Sequence, residues 1–537
     1  MKPTATQVLI VGAGPVGLAA AIELGHRGIR ATVVERNDRV GYAPRAKTTN
    51  IRTREHMRRW GIADELAAAS PLGIHYPSSI VFCTRLAGRM LARLDNANYC
   101  QPGRNPLYAE HGQWIPQYTV EEVLRRHAAS LPGIDIRFST EMTGCEQHAE
   151  GVRARLRDLA SGAESTLACD YLIGADGARS AIREAIGAQM QGVRAISRHY
   201  NVVFKAPALA QSHAQGPAIM YWQVNAEVPS VLGPMDRDDR WFFMPTQVPG
   251  GSGLTERDMP ALIRRSIGFD TPVEILSSDE WVASRLVADR YRDRRVFLAG
   301  DACHLHPPFG GYGMNMGIAD AVDLGWKIAA VLAGWGGSRL LDSYEAERRP
   351  VHEMVMAEAV ANHAVLSDHL FKPGLEEDGD RGDALRREAA ARIHAAKVRE
   401  FYTLGITLGY RYRDSPVLPP EEGAPPQQDF INYRPSAYPG CRAPHAWQHD
   451  GRSLYDAFGN GFTLLATNGG ADAEIDAMVR AAREAAVPLE TLRPALPVLG
   501  ELYGAHYALI RPDQHVAWRG DRIGDAGAVL ARATGRA

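Results

Sequence analysis

A single stretch near the start of the 537-residue chain decides the fold: Gln7-Val8-Leu9-Ile10-Val11-Gly12-Ala13-Gly14-Pro15-Val16-Gly17. Its apolar first half is typical of a buried parallel strand, and its second half is a GxGxxG turn. An Ala- and Leu-rich helix is predicted from about Pro15 to Leu24, and a second strand from Arg30 to Glu35. A proline just inside the helix start suits the fixed φ of that position. The stretch therefore predicts a β-turn-α-β unit.

The glycine turn indicates a dinucleotide site. Glycines let the backbone approach a pyrophosphate closely, and the helix N-terminus contributes N–H donors and a positive dipole end. Glu35, at the end of the second strand, can accept hydrogen bonds from ribose hydroxyls, and its charge disfavours a 2′-phosphate. The site therefore favours FAD or NAD over NADP. The residues predicted to line it are Gly12, Gly14, Pro15, Val16, Gly17, Glu35 and Arg36.

Two further glycine patterns select FAD over NAD. In the first, a buried strand from Arg295 to Ala299 leads into Gly300-Asp301 and then into Pro307-Pro308-Phe309-Gly310-Gly311-Tyr312-Gly313-Met314-Asn315. The carboxylate can accept hydrogen bonds from ribityl hydroxyls. The glycine loop can place backbone N–H groups, at a helix start, against the electron-rich end of an isoalloxazine. In the second, within Asp170 to Arg183, a strand ends in Gly174-Ala175-Asp176-Gly177.

In this order the three patterns resemble those of the flavoprotein aromatic hydroxylases, the group A FAD monooxygenases with the p-hydroxybenzoate hydroxylase fold. Pro44-Arg45-Ala46, Gln117 and the run from Tyr344 to Pro350 match the same family, so the resemblance covers most of residues 5 to 365. It implies a Rossmann-like α/β FAD-binding domain, interleaved with an α+β substrate domain built on an antiparallel sheet. The FAD contacts that it implies beyond the glycine turn and Glu35 are Arg45, Gln117, Asp176, Arg183, Asp301, Pro308, Gly311, Gly313, Met314 and Asn315.

The activity implied by the resemblance is hydroxylation of a phenolic or other aromatic substrate. NADH or NADPH reduces FAD, O₂ adds at flavin C4a, and the hydroperoxide transfers its terminal oxygen to the ring. Pro308 would lie beside the flavin edge where oxygen reacts, and Tyr312, in the same loop, is the other candidate catalytic residue. Because the cofactor carries out the oxygen chemistry, a sequence without a nucleophile triad, an acid pair or a metal cluster is expected.

Two groups of side chains in or near the segment from Gly300 to Asn315, called the flavin loop below, remain open in their roles. His304 and His306 are candidates for a base near a phenolic hydroxyl. Without a third partner they do not predict a metal site. Lys47 and Arg52, which follow the Pro-Arg-Ala turn, could each favour an anionic substrate or a phenolate, or carry a solvated or phosphate-facing charge.

The middle of the chain is predicted to form the wall of the substrate pocket. Strands are expected over His199 to Ala206, Ala218 to Val224 and Arg240 to Pro245, separated by Gly/Pro/Asp loops. Strand alternation sends only about half of their side chains towards a pocket, and the others form ordinary core. The candidates for the pocket are Tyr221, Trp222, Trp241 and Phe243.

The C-terminal part looks like the thioredoxin-like domain of the phenol hydroxylase and polyketide hydroxylase branches. The similarity rests on Pro439 to His445, Gly451 to Asp456 and Leu509 to Arg519. It lacks a CxxC pair, so dithiol exchange is not expected, and a structural or homodimer-stabilising role is implied. The predicted domain boundaries are 1–75, 106–190 and 291–365 for FAD binding, 76–105 and 191–290 for substrate, 366–427 for a helical segment and linker, and 428–537 for the thioredoxin-like unit.

Composition narrows the partners. The net charge is −2, which argues against nucleic acid and against an anionic membrane surface as partners. No apolar stretch approaches the roughly 20 residues of a membrane helix, and the first residues do not read as a secretory signal. The six cysteines are scattered, as is usual for reduced thiols. We therefore predict a cytoplasmic protein, and the resemblance to the aromatic hydroxylases implies a small aromatic substrate as its partner.

Two alternatives stay open at this point. The same fold could carry out Baeyer–Villiger oxygenation, epoxidation or dehydrogenation of an aromatic polyketide-like substrate. A non-catalytic flavin-binding sensor is the other, and the intact flavin loop argues against it.

Overall fold

A computed structural model describes residues 4–38, 46–246, 255–365, 367–420, 423–467 and 469–537. Up to residue 174 the strands are β1 (Thr4–Ala5), β2 (Val8–Val11), β3 (Ala31–Val34), β4 (Thr48–Thr49), β5 (Ile80–Cys83), β6 (Met90–Leu94), β7 (Gln113–Trp114), β8 (Ile134–Arg137), β9 (Thr140–His148), β10 (Gly151–Asp158), β11 (Glu164–Cys169) and β12 (Tyr171–Gly174). The later strands are β13 (Met190–Lys205), β14 (Met220–Gln223), β15 (Ser230–Pro234), β16 (Arg240–Pro245), β17 (Glu274–Ala288), β18 (Arg292–Asp293), β19 (Val296–Leu298), β20 (His304–Leu305), β21 (Phe462–Ala466), β22 (Leu489–Leu492), β23 (Tyr507–Ile510) and β24 (Val516–Gly520).

The α-helices alternate with these strands at both ends of the chain and cluster between residues 312 and 408. They are α1 (Pro15–Gly25), α2 (Ile51–Arg59), α3 (Ala63–Ala68), α4 (Gln117–Ser130), α5 (Ala181–Ala185), α6 (Met259–Ile267), α7 (Tyr312–Leu332), α8 (Ser338–His363), α9 (Ser367–Leu370), α10 (Asp380–Phe401), α11 (Leu404–Leu408), α12 (Asp472–Glu484), α13 (Val498–Tyr503) and α14 (Ala526–Ala533).

A six-stranded sheet in the order β18-β19-β12-β2-β3-β8 forms the first core. All its strands are parallel except β18, and β2 and β3 are buried on both faces. Helices α1 and α7 pack closely because glycines lie where they meet: a Cβ at Gly317 would lie 2.6 Å from the Val16 side chain. The predicted β-turn-α-β unit is therefore present, with helix bounds that differ from the prediction by one residue. A second sheet has four strands in the order β1-β11-β10-β9.

The middle sheet has eight strands in the order β20-β17-β13-β16-β15-β14-β5-β6. It is antiparallel except for the pairing of β14 with β5. Its longest pair, β13 with β17, extends well beyond the predicted strand from His199 to Ala206. One face packs on α6, and the other faces α10 and the loop before α7. This second face is the one that meets the flavin loop.

The C-terminal unit contains a four-stranded sheet in the order β22-β21-β23-β24. Strands β21 and β22 are parallel, and the other two pairings are antiparallel. Its core is continuous with the first domain, because Trp326 of α7 and Trp335 pack against Phe462 at 6.1 and 6.0 Å between ring centroids. Among the described residues, none of the helices combines the length and the apolar character that crossing a bilayer requires.

Candidate active site

The glycine turn after β2 packs directly against the Asp-Gly motif after β12. Gly12 has a φ of +106°, and its N–H donates to the carbonyl oxygen of Val34 at 2.8 Å. A Cβ at Gly12 would lie 2.3 Å from the carbonyl oxygen of Ala175, so only glycine permits this approach. The N–H of Ala13 donates to Oε2 of Glu35 at 2.9 Å. The Glu35 carboxylate is thereby held at the edge of the turn.

Gly14 leaves room at the start of α1. It is the N-cap residue, with a φ of −73° and no side-chain hydrogen bond capping the helix. A Cβ at Gly14 would meet no heavy atom within 4 Å, so crowding inside the chain does not require glycine here. The first N–H groups of a helix lack intrahelical acceptors and attract anions. The start of α1, with Pro15, Val16 and Gly17, therefore fits a pyrophosphate.

Asp176 and Arg183 lie next to this turn and differ in their contacts. Asp176 accepts a hydrogen bond at Oδ2 from the Ile182 N–H at 3.2 Å, while its buried Oδ1 has no partner among the described residues. Burial raises the pKa of the Asp176 carboxyl. Arg183 donates to the carbonyl oxygens of Ala302 and Ala178, both at 3.1 Å. Asp176 can still accept a ligand hydroxyl, whereas Arg183 connects the two Asp-containing motifs.

The Gly-Asp motif after β19 closes the third side of this cleft. Gly300 has a φ of +61°, and a Cβ there would lie 2.8 Å from the Val16 side chain at the start of α1. Asp301 follows in a 3₁₀ turn, Gly300–Ala302, with an exposed side chain. All three sequence motifs therefore meet around the N-terminus of α1.

Gln117 anchors the chain that approaches this cleft. Its N–H donates to the Ala46 carbonyl at 2.9 Å, and its Oε1 accepts from the Ala46 N–H at 3.2 Å. Its Nε2 donates to Glu121 at 2.8 Å. The predicted FAD contact Arg45 lies outside the described residues, and Arg36 is exposed. Gln117 thus fixes the segment that follows Arg45.

The loop before α7 presents a helix N-terminus of its own. Gly310 and Gly311 have positive φ values of +95° and +66°, and the Gly311 N–H donates to the Pro308 carbonyl at 3.0 Å. Gly311 is the N-cap of α7, and a Cβ at Gly313 would meet nothing within 4 Å. The first-turn N–H groups, including that of Met314, have no acceptor within the helix. Pro308 is exposed at the rim of this loop.

Asn315 has a structural task that its sequence position did not reveal. Its Nδ2 donates to the carbonyl oxygens of Thr48 and Gly311 at 2.9 and 2.7 Å. Its Oδ1 accepts from the Asn50 N–H at 2.9 Å and from the Thr53 hydroxyl at 2.8 Å. The side chain therefore joins the flavin loop to the segment before α2.

Tyr312 is buried inside the loop. A Cβ at Gly310 would collide with its ring at 2.3 Å, which explains the glycine before it. Burial raises the pKa of the Tyr312 phenol, and its Oη has no partner among the described residues. A phenol that stays protonated can donate a hydrogen bond, but it is a poor base.

A buried carboxylate, Asp320, supports the loop from behind, and sequence reasoning missed it. It accepts hydrogen bonds from the Gly300 N–H at 3.1 Å, Arg348 Nε at 2.8 Å, and Nε2 of His304 and of His352, each at 2.7 Å. Burial opposes its charge, but His352 and Arg348 outweigh burial, so the pKa of Asp320 lies well below its usual range. Asp320 therefore stays ionised and pins the Gly-Asp turn to α7 and α8.

This network changes the roles proposed for the two loop histidines. His304 is committed to Asp320, and burial holds the pKa of His306 well below its usual value. His352 is the third histidine that the sequence reasoning lacked, since ligand atoms of the three imidazoles lie within 4.8 Å of one another. The rings of His304 and His352 stack at 3.7 Å on the shared carboxylate. The geometry makes His304 a supporting residue rather than a free base.

The four aromatic residues predicted for the pocket lie on two different faces of the middle sheet. Trp222 shares a cluster with Phe309 of the flavin loop, with ring centroids 6.5 Å apart. Tyr221, Trp241 and Phe243 point to the opposite face. There they pack with four residues of α6: Met259, Leu262, Ile263 and Ile267.

The pocket assignment is corrected accordingly. Tyr221, Trp241 and Phe243 belong to the core beneath the sheet, because alternate residues of a strand face opposite sides. Phe242, next to two of them in sequence, joins Trp222 on the face that meets Phe309.

A hydrogen-bonded chain of polar residues lies beside Phe309 on this face. The Ser197 hydroxyl bridges Nε2 of His199 at 2.6 Å and Nε2 of His363 at 2.7 Å. The Phe309 ring touches both imidazoles edge-on, at 6.0 and 5.1 Å between centroids. Burial, and then the neighbouring His363, lower the pKa of His199 to about 4. His199 is therefore neutral near pH 7, and no sequence motif marked it.

The two cations after the Pro-Arg-Ala turn have different surroundings. Arg52 is buried and donates to Glu55, to the Gln514 side chain at 2.6 Å and to the Asp513 carbonyl at 2.5 Å. It therefore fastens the C-terminal unit and serves neither substrate nor phosphate, which corrects both predicted roles. Lys47 instead lies over the Phe242 ring, with Nζ 4.3 Å from its centroid.

Comparison with known proteins agrees with this architecture. The family model described as "FAD binding domain" matches residues 5–359, and that described as "Aromatic-ring hydroxylase, C-terminal" matches residues 436–537. The chain is 36% identical to an aklavinone 12-hydroxylase of Streptomyces peucetius, over 86% of this chain and 92% of that protein. It is 34% identical to a 4-methyl-5-nitrocatechol 5-monooxygenase of a Burkholderia species, over 95% and 93%.

A solved structure of the rebeccamycin biosynthetic enzyme RebC with reduced flavin superposes over the whole of both chains. The TM-score is 0.91 and the sequence identity 34%. The similarity therefore includes the C-terminal unit as well as the two interleaved sheets.

Proposed function

The chain belongs to the FAD-dependent aromatic-ring hydroxylases, and we propose that it hydroxylates an aromatic ring that already carries a hydroxyl group. It is an FAD-dependent monooxygenase, with O₂ and a reduced nicotinamide as co-substrates. The observation that carries the assignment of the site is the convergence of three glycine-rich turns on the N-terminus of α1.

Each part of the cleft suits a different part of FAD. The start of α1 at Gly14 offers N–H donors and space for the pyrophosphate, and Glu35 offers a carboxylate for the ribose. Asp176 and Asp301 offer acceptors for hydroxyl groups along the ribityl chain. The first turn of α7, at Gly313 and Met314, offers N–H donors and a positive dipole end to the pyrimidine side of the ring.

When bound, FAD supplies hydride acceptance from the nicotinamide and activation of O₂, so the protein has to position the substrate and exclude water. The wall formed by Trp222, Phe242 and Phe309 is apolar and buried, which suits a flat ring. Neutral His199 beside Phe309 can accept a hydrogen bond from a substrate hydroxyl and pass a proton through Ser197 to His363.

The test of this function is turnover with labelled oxygen. The purified, FAD-loaded enzyme is mixed with NADH or NADPH and a panel of mono- and polycyclic phenols under ¹⁸O₂. We expect at least one phenol to accelerate nicotinamide oxidation and to yield a product that is heavier by one labelled oxygen. A product without ¹⁸O would indicate dehydrogenation instead. If the panel gives no acceleration at all, hydroxylation of phenols is the wrong function.

The cofactor cleft can be tested separately with Gly14→Ala. The added methyl group meets nothing inside the chain, so we expect the FAD-free variant and the FAD-free wild-type protein to melt at about the same temperature. We also expect a large loss of bound FAD, measured from flavin absorbance per polypeptide, because the methyl group faces the proposed pyrophosphate. Gly527→Ala is the control, since its Cβ would only touch Asp525 at 3.4 Å. Full FAD occupancy in Gly14→Ala would remove this glycine from the site.

For the C-terminal unit we propose a thioredoxin-like fold without redox function. The sheet order β22-β21-β23-β24, with helices after β21, β22 and β24, supports the fold. Cys441 is the only cysteine after residue 303, so no dithiol is available in this unit. A homodimer and a cytoplasmic location stay predictions.

A further inference from the structure

We infer that the ammonium group of Lys47 binds an ionised oxygen of the substrate, so that the enzyme selects aromatic compounds with an acidic hydroxyl or a carboxyl group. The inference deepens the proposed function and rests on it. It concerns which oxygen-bearing rings bind, and it assigns Lys47 as a residue that determines this specificity.

The backbone places Lys47 beside the flavin loop. Its carbonyl accepts from the Ile115 N–H at 2.9 Å, and the next residue, Thr48, pairs with Trp114 across the short β4–β7 ladder. The Thr48 carbonyl accepts from Asn315 Nδ2 at 2.9 Å, and its Cβ would lie 3.4 Å from a Cβ at Gly311. The backbone of Lys47 is therefore fixed, and its neighbour Thr48 contacts the loop before α7.

The side chain of Lys47 reaches from this anchor to the aromatic wall. Nζ lies 4.3 Å from the centroid of the Phe242 ring, and Phe242 belongs to the cluster that contains Trp222 and Phe309. The cation is thus located between the flavin loop and the sheet face proposed to bind the substrate. A substrate ring lying on this wall brings its substituents within reach of the ammonium group.

Lys47 has no carboxylate partner among the described residues. A second lysine at this wall shows the contrast: Lys397 lies 4.1 Å from the Trp222 ring centroid but donates to Glu400 at 2.7 Å. Burial alone lowers the pKa of Lys47 to about 8.

A cation without a counter-ion in partly buried, apolar surroundings is costly, and an anionic ligand that pairs with it removes much of that cost. The cation–π contact with Phe242 is weaker than a charge-assisted hydrogen bond to a phenolate or carboxylate. Lys47 therefore favours the ionised form of a substrate oxygen. Ionisation makes a phenol more electron-rich, which suits the transfer of an electrophilic oxygen to the ring.

The experiment measures ligand binding to the FAD-loaded enzyme, without turnover. The probes are 2-hydroxyanthraquinone, its methyl ether 2-methoxyanthraquinone, and anthraquinone-2-carboxylate, which differ in the group that can carry a negative charge. Binding is followed through flavin absorbance changes. The variants are Lys47→Met, Lys47→Arg and the control Lys205→Met, which removes an exposed ammonium group from β13 of the same sheet.

For Lys47→Met we expect the phenol, the carboxylate or both to bind roughly 10- to 100-fold more weakly, with the ether unchanged. In the wild-type enzyme the bound phenol should show the spectrum of the ionised form, and in Lys47→Met that of the neutral form. Lys47→Arg should retain most of the preference for the anionic probes, and Lys205→Met should behave as wild type. The anionic probe whose affinity falls in Lys47→Met shows whether the ammonium group binds a phenolate or a carboxylate.

Three outcomes would overturn the inference. In the first, the wild-type enzyme binds the ether as tightly as both anionic probes, or binds neither anionic probe. In the second, Lys47→Met weakens all three probes equally, which indicates a packing role. In the third, FAD-loaded Lys47→Met binds the anionic probes as tightly as wild type does, and a lower FAD content of the purified variant would then assign the cation to the cofactor. Because none of these readouts uses turnover, each can fail while phenol-stimulated nicotinamide oxidation still holds.

Discussion

Helix α7 carries two buried carboxylates less than one turn apart, Asp320 and Asp323, and they organise different parts of the molecule. Asp320 binds the turn after Gly300, one loop histidine and two residues of α8. Asp323 binds Lys327 at 2.8 Å and Arg511 of the C-terminal unit at 2.9 Å. The first therefore supports the flavin loop, and the second fastens the C-terminal unit.

The charges of the two clusters also differ. Among the described residues, Asp320 is the single carboxylate bound by its cluster and has Arg348 as its cation, so it stays ionised. Around Asp323 lie two further carboxylates, Glu347 and Asp513. In the part of the chain that the structure describes, the Lys and Arg side chains paired with these three acids are Lys327 and Arg511. Burial raises the pKa of Asp323 to about 7, which Lys327 and Arg511 only partly oppose. A buried carboxylate therefore stays ionised where one cation pairs with it, as at Asp320. Where carboxylates outnumber the cations, as around Asp323, one of them can take up a proton near neutral pH.

The largest expected effect comes from breaking the first cluster with Asp320→Asn. The substitution leaves Arg348 buried without its counter-ion, which typically costs about 3–5 kcal/mol of stability. The turn at Gly300 and the stacked histidines also lose their acceptor, so FAD retention should fall sharply. The measurements are denaturant unfolding and flavin content per chain. A variant that unfolds like wild type and stays yellow would contradict the supporting role.

A somewhat smaller loss of stability is expected when the second cluster, around Asp323, is broken with Arg511→Met. Glu347 accepts from Arg511 at 2.7 and 2.9 Å, and Asp513 accepts at 2.7 Å. The stranded carboxylates can take up protons, so we expect about 2–3 kcal/mol rather than the full cost of an unpaired charge. The C-terminal unit should loosen, seen as faster proteolysis between α11 and residue 436, while FAD occupancy stays near wild type. Loss of FAD in parallel with faster cleavage would mean that the two clusters are not separate in function.

The titration of Asp323 is expected to have a smaller effect on the free energy of unfolding, and this effect depends on pH. Its folded pKa of about 7 lies above the usual value of 3.8, so between roughly pH 4 and 7 the folded chain holds a proton that the unfolded chain releases. This group's contribution to stability is therefore present at low pH and is lost as the pH rises to about 7. Asp323→Asn removes that dependence and should cost about 1 kcal/mol or less near pH 6, where the wild-type carboxyl is largely neutral.

The check on Asp323 is the free energy of unfolding at several pH values between 5 and 8 for wild type and Asp323→Asn. We expect a shallower decline in the variant. For Asp320 the sign is opposite, because its lowered pKa gives stability that is present above about pH 4 and lost below it. Parallel profiles for wild type and Asp323→Asn would show that Asp323 does not titrate in this range.

The same helix shows what could be predicted from the sequence. The glycine turns could be recognised from the sequence because Gly12, which packs against the Ala175 carbonyl, and Gly14, at the open start of α1, lie within three residues of each other in one motif. The partners of Asp320 could not be predicted, since they come from positions 300, 304, 348 and 352, and nothing in their separate segments indicates that they meet at one carboxylate. A charged residue inside the apolar stretch from Ile318 to Ala333 was the available signal.

The substrate sheet illustrates a second limit of sequence reasoning. Alternation correctly implied that neighbouring aromatic residues face opposite sides, but it could not decide which side meets the flavin loop. That choice depends on where α6 and α10 pack, so Trp222 and Phe242 face Phe309 while Tyr221 and Phe243 do not.

The smallest expected effect lies at the rim of the same C-terminal interface, where Arg58 of α2 contacts Asp456. Their bidentate contacts are 2.6 and 2.7 Å long, as short as those of Arg511, but the Arg58 side chain is 31% exposed. Solvent and salt screen such a pair, so Arg58→Met should cost about 0.5–1 kcal/mol, and the loss should shrink at high ionic strength. Arg511→Met, whose cation is fully buried, should lose nearly the same stability at low and high salt. If Arg58→Met costs as much as Arg511→Met in the same unfolding series, then contact geometry, rather than burial, determines how strongly the C-terminal unit is held.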